Sequence, residues 1–115
     1  MQRDDLAYLL DMLIAAKDGV RFASEVTEQQ FKQSQLYQNA IIKALEIVGE
    51  AANSLSESTR DAHPEISWTA MIGMRNRLVH AYFATSLETV WDVAQNALPE
   101  LIEQLTPLLQ LDEDE

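Results

Sequence analysis

The stretch QLYQNAIIKALEIVGEAANSLS, Gln35 to Ser56, constrains the fold more than any other part of the chain. On a wheel of about 100° per residue, its apolar residues Ala40, Ile41, Ala44, Leu45, Ile47, Val48, Ala51 and Ala52 cover more than half the circumference. Lys43, Glu46, Glu50 and Asn53 fill the remaining polar strip. This pattern predicts a largely buried helix whose small residues let neighbouring helices approach closely. Ser34 stands where its side chain could cap the first turn.

The flanking segments carry the same periodicity. Leu6, Leu9, Leu10, Leu13, Ile14 and Val20 predict a first helix over about 4–22. Thr27 followed by Gln30 fits a capping box for a short helix. SESTRDAHPEIS reads as a helix end and a loop, because Pro64 interrupts any helix and pushes His63 toward extended geometry. Ser67 starts the next helix, which runs to about Phe83. Ser86 caps the last segment, where Pro99 and Pro107 should kink or divide the helix. Only three Gly and three Pro occur, so long loops are disfavoured. The expectation is an all-α, up-and-down bundle of five to six helices in one domain over 1–111. An acidic, solvated tail follows at 112–115, and Trp68 and Trp91 serve as core or interface anchors.

Composition excludes several functions. The chain has 115 residues, room for one modest core. The absence of Cys removes thiol catalysis and zinc ribbons, and points to a cytoplasmic rather than a secreted, disulfide-bonded domain. No run of 18 apolar residues exists to span a membrane, and the acid-bearing N-terminus does not resemble a signal peptide. The formal net charge of −11 argues against a generic nucleic-acid coat. The charge is uneven, however. No Asp or Glu lies between Ile66 and Leu87, and that window holds Arg75, Arg77 and His80.

The segment SWTAMIGMRNRLVHAYF poses the functional question. With Arg75 as the origin of the wheel, Tyr82 falls at about −20°, Met71 at about −40° and Leu78 at about −60°. Val79 falls at about +40° and Ile72 at about +60° by the same geometry. Arg75 thus sits in the middle of the apolar stripe, with Asn76 and His80 on its edge and Arg77 turned toward solvent. An unpaired arginine in a core is costly. Three readings stand: a structural ion pair with Glu46 or Glu50, a subunit interface, or an anion-binding cleft. A permanent cation, an imidazole and an amide within one and a half turns suit phosphoryl chemistry, with His moving a proton and Arg stabilising charge on phosphate. RNA supplies its own nucleophile for such a step, the 2′-hydroxyl. Arg75 and His80 point roughly 140° apart on an ideal helix, so they converge through the length of Arg or across two subunits. A metal-carboxylate bundle built on Glu46, Glu50 and His63 is disfavoured because no Glu-x-x-His pair occurs.

IGMRNRLVHAYF resembles the signature of the HEPN superfamily, and specifically of its HepT-like toxin family: Arg75, a polar Asn76, His80, and Tyr82 two residues on. ALEIVGEAANSLS, HPEISW and LETVWDVAQNALPELIEQL resemble the same family, so the likeness runs from about Asp4 to Leu109. Many relatives carry Gly between the His and Tyr, whereas this chain has Ala81. The resemblance implies a HEPN-like bundle that dimerises through the motif helix. It implies a metal-independent endoribonuclease, without cofactor, that serves as the toxin of a toxin–antitoxin pair. By the same likeness Arg75 and His80 are catalytic and Asn76 supports them. Tyr82 is the residue to which a minimal nucleotidyltransferase antitoxin transfers AMP. The net charge suits a small site and a narrow RNA substrate such as a tRNA loop. The alternative is a non-catalytic helical subunit that presents substrate to a nucleotidyltransferase.

Overall fold

The computed structural model describes residues 1–80 and 86–113, and the side chains among these up to 110. Seven α-helices follow in order among these residues: α1 (Arg3–Ser24), α2 (Glu28–Gln33), α3 (Gln35–Ser54), α4 (Glu57–Ala62), α5 (Trp68–His80), α6 (Leu87–Asp92) and α7 (Leu98–Glu113). A π-helical turn, Val93–Ala97, joins α6 to α7 in one rod. The described residues contain no strand, so the all-α bundle expected from the periodicity is the fold. None of the described helices is long and apolar enough to cross a membrane.

The caps follow the sequence. The Thr27 hydroxyl accepts from the Gln30 amide while the Gln30 side chain accepts from the Thr27 amide, closing the capping box. Ser34 caps α3 by accepting from the Tyr37 amide, and Ser86 caps α6 by accepting from the Glu88 amide.

Two segments differ from expectation. The SESTRDA stretch is not a loop but α4, capped by Ser56. A residue far away in sequence supplies the missing force. Asp5, 2% exposed on α1, accepts from the Ser56 amide at 3.0 Å and from the Ser56 and Thr59 hydroxyls at 2.6 Å each. A carboxylate at a helix N-terminus satisfies orphan donors and favours the local dipole. The second difference is the C-terminal rod. Pro99 neither breaks nor divides it. A proline ring clashes with the carbonyl four residues back, here that of Gln95. The preceding π turn, with Leu98 N–H donating to the Val93 carbonyl, loosens the ladder where that clash would fall. Pro107 lies inside α7 without ending it. The acidic end lies partly within α7, which runs to Glu113; residues 114–115 are outside the described set.

α1 packs against α3 and α7, and α3 packs against α5. Leu9 and Met12 of α1, Ile41 of α3, Leu105 of α7 and Phe31 of α2 are fully buried. Each such side chain contributes about 1.5–3 kcal/mol by leaving water. Small residues let the helices approach: a Cβ on Gly19 would stand 2.6 Å from Leu98 Cδ1 and 3.5 Å from Ala44 Cβ. Both tryptophans are anchors. Trp68 is 6% exposed, and its indole N–H donates to the Arg60 and His63 carbonyls. Trp91 meets Phe31 with ring centroids 5.2 Å apart.

Candidate functional site around Arg75

The site begins at the crossing of α3 and α5. Trp68, Met74 and Leu78 are the buried residues of α5, with Met71 and Ile72 partly buried. The inward stripe is therefore centred near Met74 and Leu78, rotated by about 60° or more from the wheel position of Arg75. Arg75 is a shoulder residue and not the middle of the stripe. Val79, expected inside, is 45% exposed. The wheel erred because it weighted Val79 and Ile72 by hydropathy, whereas α3 covers the other flank of α5.

Gly49 of α3 is what Arg75 rests on. A Cβ built on Gly49 would fall 2.3 Å from Arg75 Cβ, 3.1 Å from its Cγ and 2.6 Å from the Met71 carbonyl oxygen. The aliphatic stem of Arg75 thus lies on a bare stretch of helix backbone, and the side chain is half-buried. Its guanidinium donates from Nη1 to Asn76 Oδ1 at 3.0 Å. Its Nε is buried and has no hydrogen-bond partner among the described residues. Neither Glu46 nor Glu50 makes an ion pair with it; among the described residues the ion pairs are Arg21–Asp18, Lys32–Glu28 and Lys32–Glu88, and His63 Nδ1 lies 3.5 Å from Glu65 Oε1. The structural-salt-bridge reading of Arg75 thus finds no support among the described residues.

Asn76 and His80 are exposed, and their four-residue spacing puts them on one face of α5. Arg77 is exposed, but its guanidinium folds back: Nη2 lies 3.6 Å from the Met74 sulfur. Its Nη1 would stand 3.6 Å from a Cβ on Gly73, an ordinary van der Waals contact. Tyr82 lies outside the described residues. A cleft of about 290 Å³ opens on another flank of α5, between Met71, Met74, Arg77, Val93 and Leu101. It contains none of Arg75, Asn76 and His80, so it is separate from this constellation.

The one feature that sequence reasoning passed over is Gly49. Its signal was a glycine on the apolar side of an otherwise alanine-rich helix, a position where Gly costs helix stability without a packing reason.

Chemically, the described residues offer a half-buried guanidinium with unused donor capacity, an amide hydrogen-bonded to it, and an exposed imidazole on the same helix. No acid lies on α5 to compete for the cation. Such a set can bind a phosphodiester and move a proton near it.

Comparison with known proteins places the chain in a family. No solved structure matches the chain. A protein of Methanocaldococcus jannaschii, named as a candidate RNase, is 32% identical over 109 residues, covering 95% of this chain and 90% of that one. A protein of Thermococcus cleftensis named "Probable ribonuclease HepT" is 35% identical over 101 residues, 88% of this chain and 92% of its own. A further candidate RNase, from Caldanaerobacter subterraneus subsp. tengcongensis, is 30% identical over 100 residues, 87% of this chain and 84% of that one. The sequence profile of the ribonuclease HepT-like family matches residues 12–108, which span α3, α5 and the crossing that holds Arg75, and the chain belongs to that family.

Proposed function

We propose that the protein is a metal-independent endoribonuclease, the toxin of a toxin–antitoxin pair, with Arg75 and His80 as its catalytic residues. The observation that carries this reading is the state of Arg75. It is held half-buried on Gly49, steadied by Asn76, and its buried Nε has no partner among the described residues. Leaving a buried donor unpaired costs about 1–3 kcal/mol. Arg60 Nε shares this state, so what singles out Arg75 is that its unpaired donor lies on an acid-free helix that also carries Asn76 and His80.

The reaction uses the RNA 2′-hydroxyl as nucleophile. Its oxygen attacks the adjacent phosphorus, the P–O5′ bond breaks, and a 2′,3′-cyclic phosphate and a 5′-hydroxyl result. His80 takes the 2′-hydroxyl proton or delivers a proton to the departing 5′ oxygen. Arg75 stabilises the charge that builds on the non-bridging oxygens. Asn76 keeps the guanidinium oriented. Because Arg75 and His80 diverge on one helix, the working site draws Arg75 and His80 from both copies of a homodimer formed through α5. The acid-free window on an otherwise strongly acidic chain favours a narrow RNA target, such as a tRNA loop, over long stretches of RNA.

The antitoxin in this reading is a minimal nucleotidyltransferase that transfers AMP from ATP to the Tyr82 hydroxyl, with release of pyrophosphate. The bulky anion, two residues from His80, then blocks the site. The Cys-free composition fits action in the cytoplasm.

The test is expression of the chain alone in a bacterial host, beside His80→Ala, with growth and total RNA followed. Arrest with RNA breakdown in the wild type only is the expected result. Equal growth with intact RNA in both, for folded and unmodified protein, would instead favour a non-catalytic subunit that serves a nucleotidyltransferase.

A further inference from the structure

We infer that Gly49 is the positioning residue of the Arg75 site: its missing side chain sets how closely α5 lies on α3, and with that where the guanidinium stands. The inference rests on the reading of Arg75 given above.

Three atoms crowd the place where a Cβ on Gly49 would be. Arg75 Cβ would be 2.3 Å away, the Met71 carbonyl oxygen 2.6 Å and Arg75 Cγ 3.1 Å. Two of these are fixed to the α5 backbone, so no rotamer change relieves them. Carbon atoms in contact stand about 3.5–4.0 Å apart. A methyl at position 49 therefore forces α5 away from α3 by roughly 1 Å, and the shift falls on Arg75 first. Misplacing a catalytic group by about 1 Å costs on the order of 100-fold in rate. The other tight helical glycine makes the contrast. At Gly19 the nearest atom to a new Cβ is the Cδ1 end of Leu98, which can rotate aside, and α5 is not among its neighbours. Gly49 thus serves the placement of one side chain, where Gly19 serves packing alone.

The experiment compares the full-length wild type, Gly49→Ala, Gly19→Ala and Arg75→Ala. Cleavage of a fluorescent single-stranded oligoribonucleotide and of total bacterial RNA is followed well below every melting temperature. In parallel, the Arg75 Nε–Hε resonance is recorded by NMR and assigned by its loss in Arg75→Ala. For Gly49→Ala we expect a shifted Arg75 resonance and a kcat lower by about 100-fold, with KM changed far less, because Arg75 acts on the transition state. Gly19→Ala leaves both readouts at wild-type values. An unmoved resonance, or wild-type kcat, in folded Gly49→Ala overturns the assignment. If wild type and Arg75→Ala cleave equally, or neither cleaves, the ribonuclease role of Arg75 falls on its own; the resonance still decides whether Gly49 places the guanidinium. Should Gly49→Ala unfold, a stability cycle with Arg75→Gly decides. Gly49→Ala should then cost less in the Arg75→Gly background, where two of the three close contacts are gone. Equal costs in both backgrounds overturn the inference.

Discussion

Replacing Asp5 should unfasten α4, and the size of the effect can be worked from its three hydrogen bonds. The carboxylate, itself 2% exposed, accepts from the Ser56 amide at 3.0 Å and from the Ser56 and Thr59 hydroxyls at 2.6 Å; the Thr59 bond is buried and the two from Ser56 are part-buried. Hydrogen bonds to a charged group contribute about 1.5–3 kcal/mol each before compensation. In Asp5→Ala the two hydroxyls can partly re-pair with each other, since Ser56 Oγ already lies 3.1 Å from Thr59 Oγ1. A net loss of about 2–4 kcal/mol follows, most of it from the orphaned Ser56 amide and the lost charge-assisted bonds. Asp5→Asn keeps the shape and one good acceptor, so about 1–2 kcal/mol is expected. With an unfolding entropy of about 2.1 cal/mol/K per residue, 115 residues give roughly 0.24 kcal/mol/K, or about 4 °C per kcal/mol. Asp5→Ala should melt about 8–16 °C below wild type on that scale.

The pH dependence adds a second reading of the same bond set. Burial alone would raise the Asp5 carboxyl, but the bonds from the Ser56 and Thr59 side chains and the Ser56 amide outweigh it. The pKa ends below the ordinary 3.8. A carboxyl depressed in the folded state contributes stability that is present above its unfolded pKa and lost as pH falls through its folded pKa. The gap between wild type and Asp5→Ala should therefore be constant from neutrality down to about pH 5, and narrow below about pH 4. Circular dichroism melts at a series of pH values measure both effects. A gap at pH 7 no larger than the roughly 0.5 kcal/mol of an ordinary surface substitution would refute the argument that Asp5 is the tertiary cap of α4. So would a gap that widens on acidification.

Other perturbations have equally definite outcomes. Phe31→Ala removes a fully buried ring that meets Trp91 and should cost about 3–5 kcal/mol by denaturant titration. Pro107→Ala restores a backbone donor inside α7 and should raise the melting temperature by several degrees. A fall would show that the local backbone is already built around the ring. Tyr82→Phe removes the hydroxyl that the proposed AMP transfer needs. Co-expression with the cognate nucleotidyltransferase should then fail to rescue growth, and intact-mass spectrometry should show no adduct of the kind expected on wild type.

How much of this was legible in the sequence depends on how local each determinant is. Capping at Thr27, Ser34 and Ser86 involves partners within three residues, and all three were readable. The apolar periodicity of α1 and α3 fixed the bundle for the same reason. The Ser56 cap of α4 on the Thr59 amide is just as local, but the buried Asp5 that anchors this turn lies 51 residues from Ser56 and has no local signature. The π turn was missed because Pro99 signals only that an ordinary α ladder must yield, not whether the helix breaks or widens. At the site, the wheel put Asn76 and His80 together and Arg75 some way round the helix from His80; the structure adds a hydrogen bond from Arg75 to Asn76 and leaves His80 exposed. The wheel could not tell that α3 crosses at Gly49 and rotates the buried stripe toward Met74, because that depends on which flank of α5 its neighbour covers. The expected acid partners Glu46 and Glu50 share α3 with Gly49, yet neither pairs with the guanidinium.

The most direct test of the central claim is the chemistry of the RNA ends left by purified protein. Wild type, Arg75→Ala and His80→Ala are incubated with total bacterial RNA in excess EDTA, and the new termini are mapped. The proposed reaction predicts cleavage by wild type alone, unimpaired by the chelator, with 2′,3′-cyclic phosphate on one fragment and 5′-hydroxyl on the other. Cleavage that persists in folded His80→Ala, that vanishes with EDTA, or that leaves 5′-phosphate ends would contradict it.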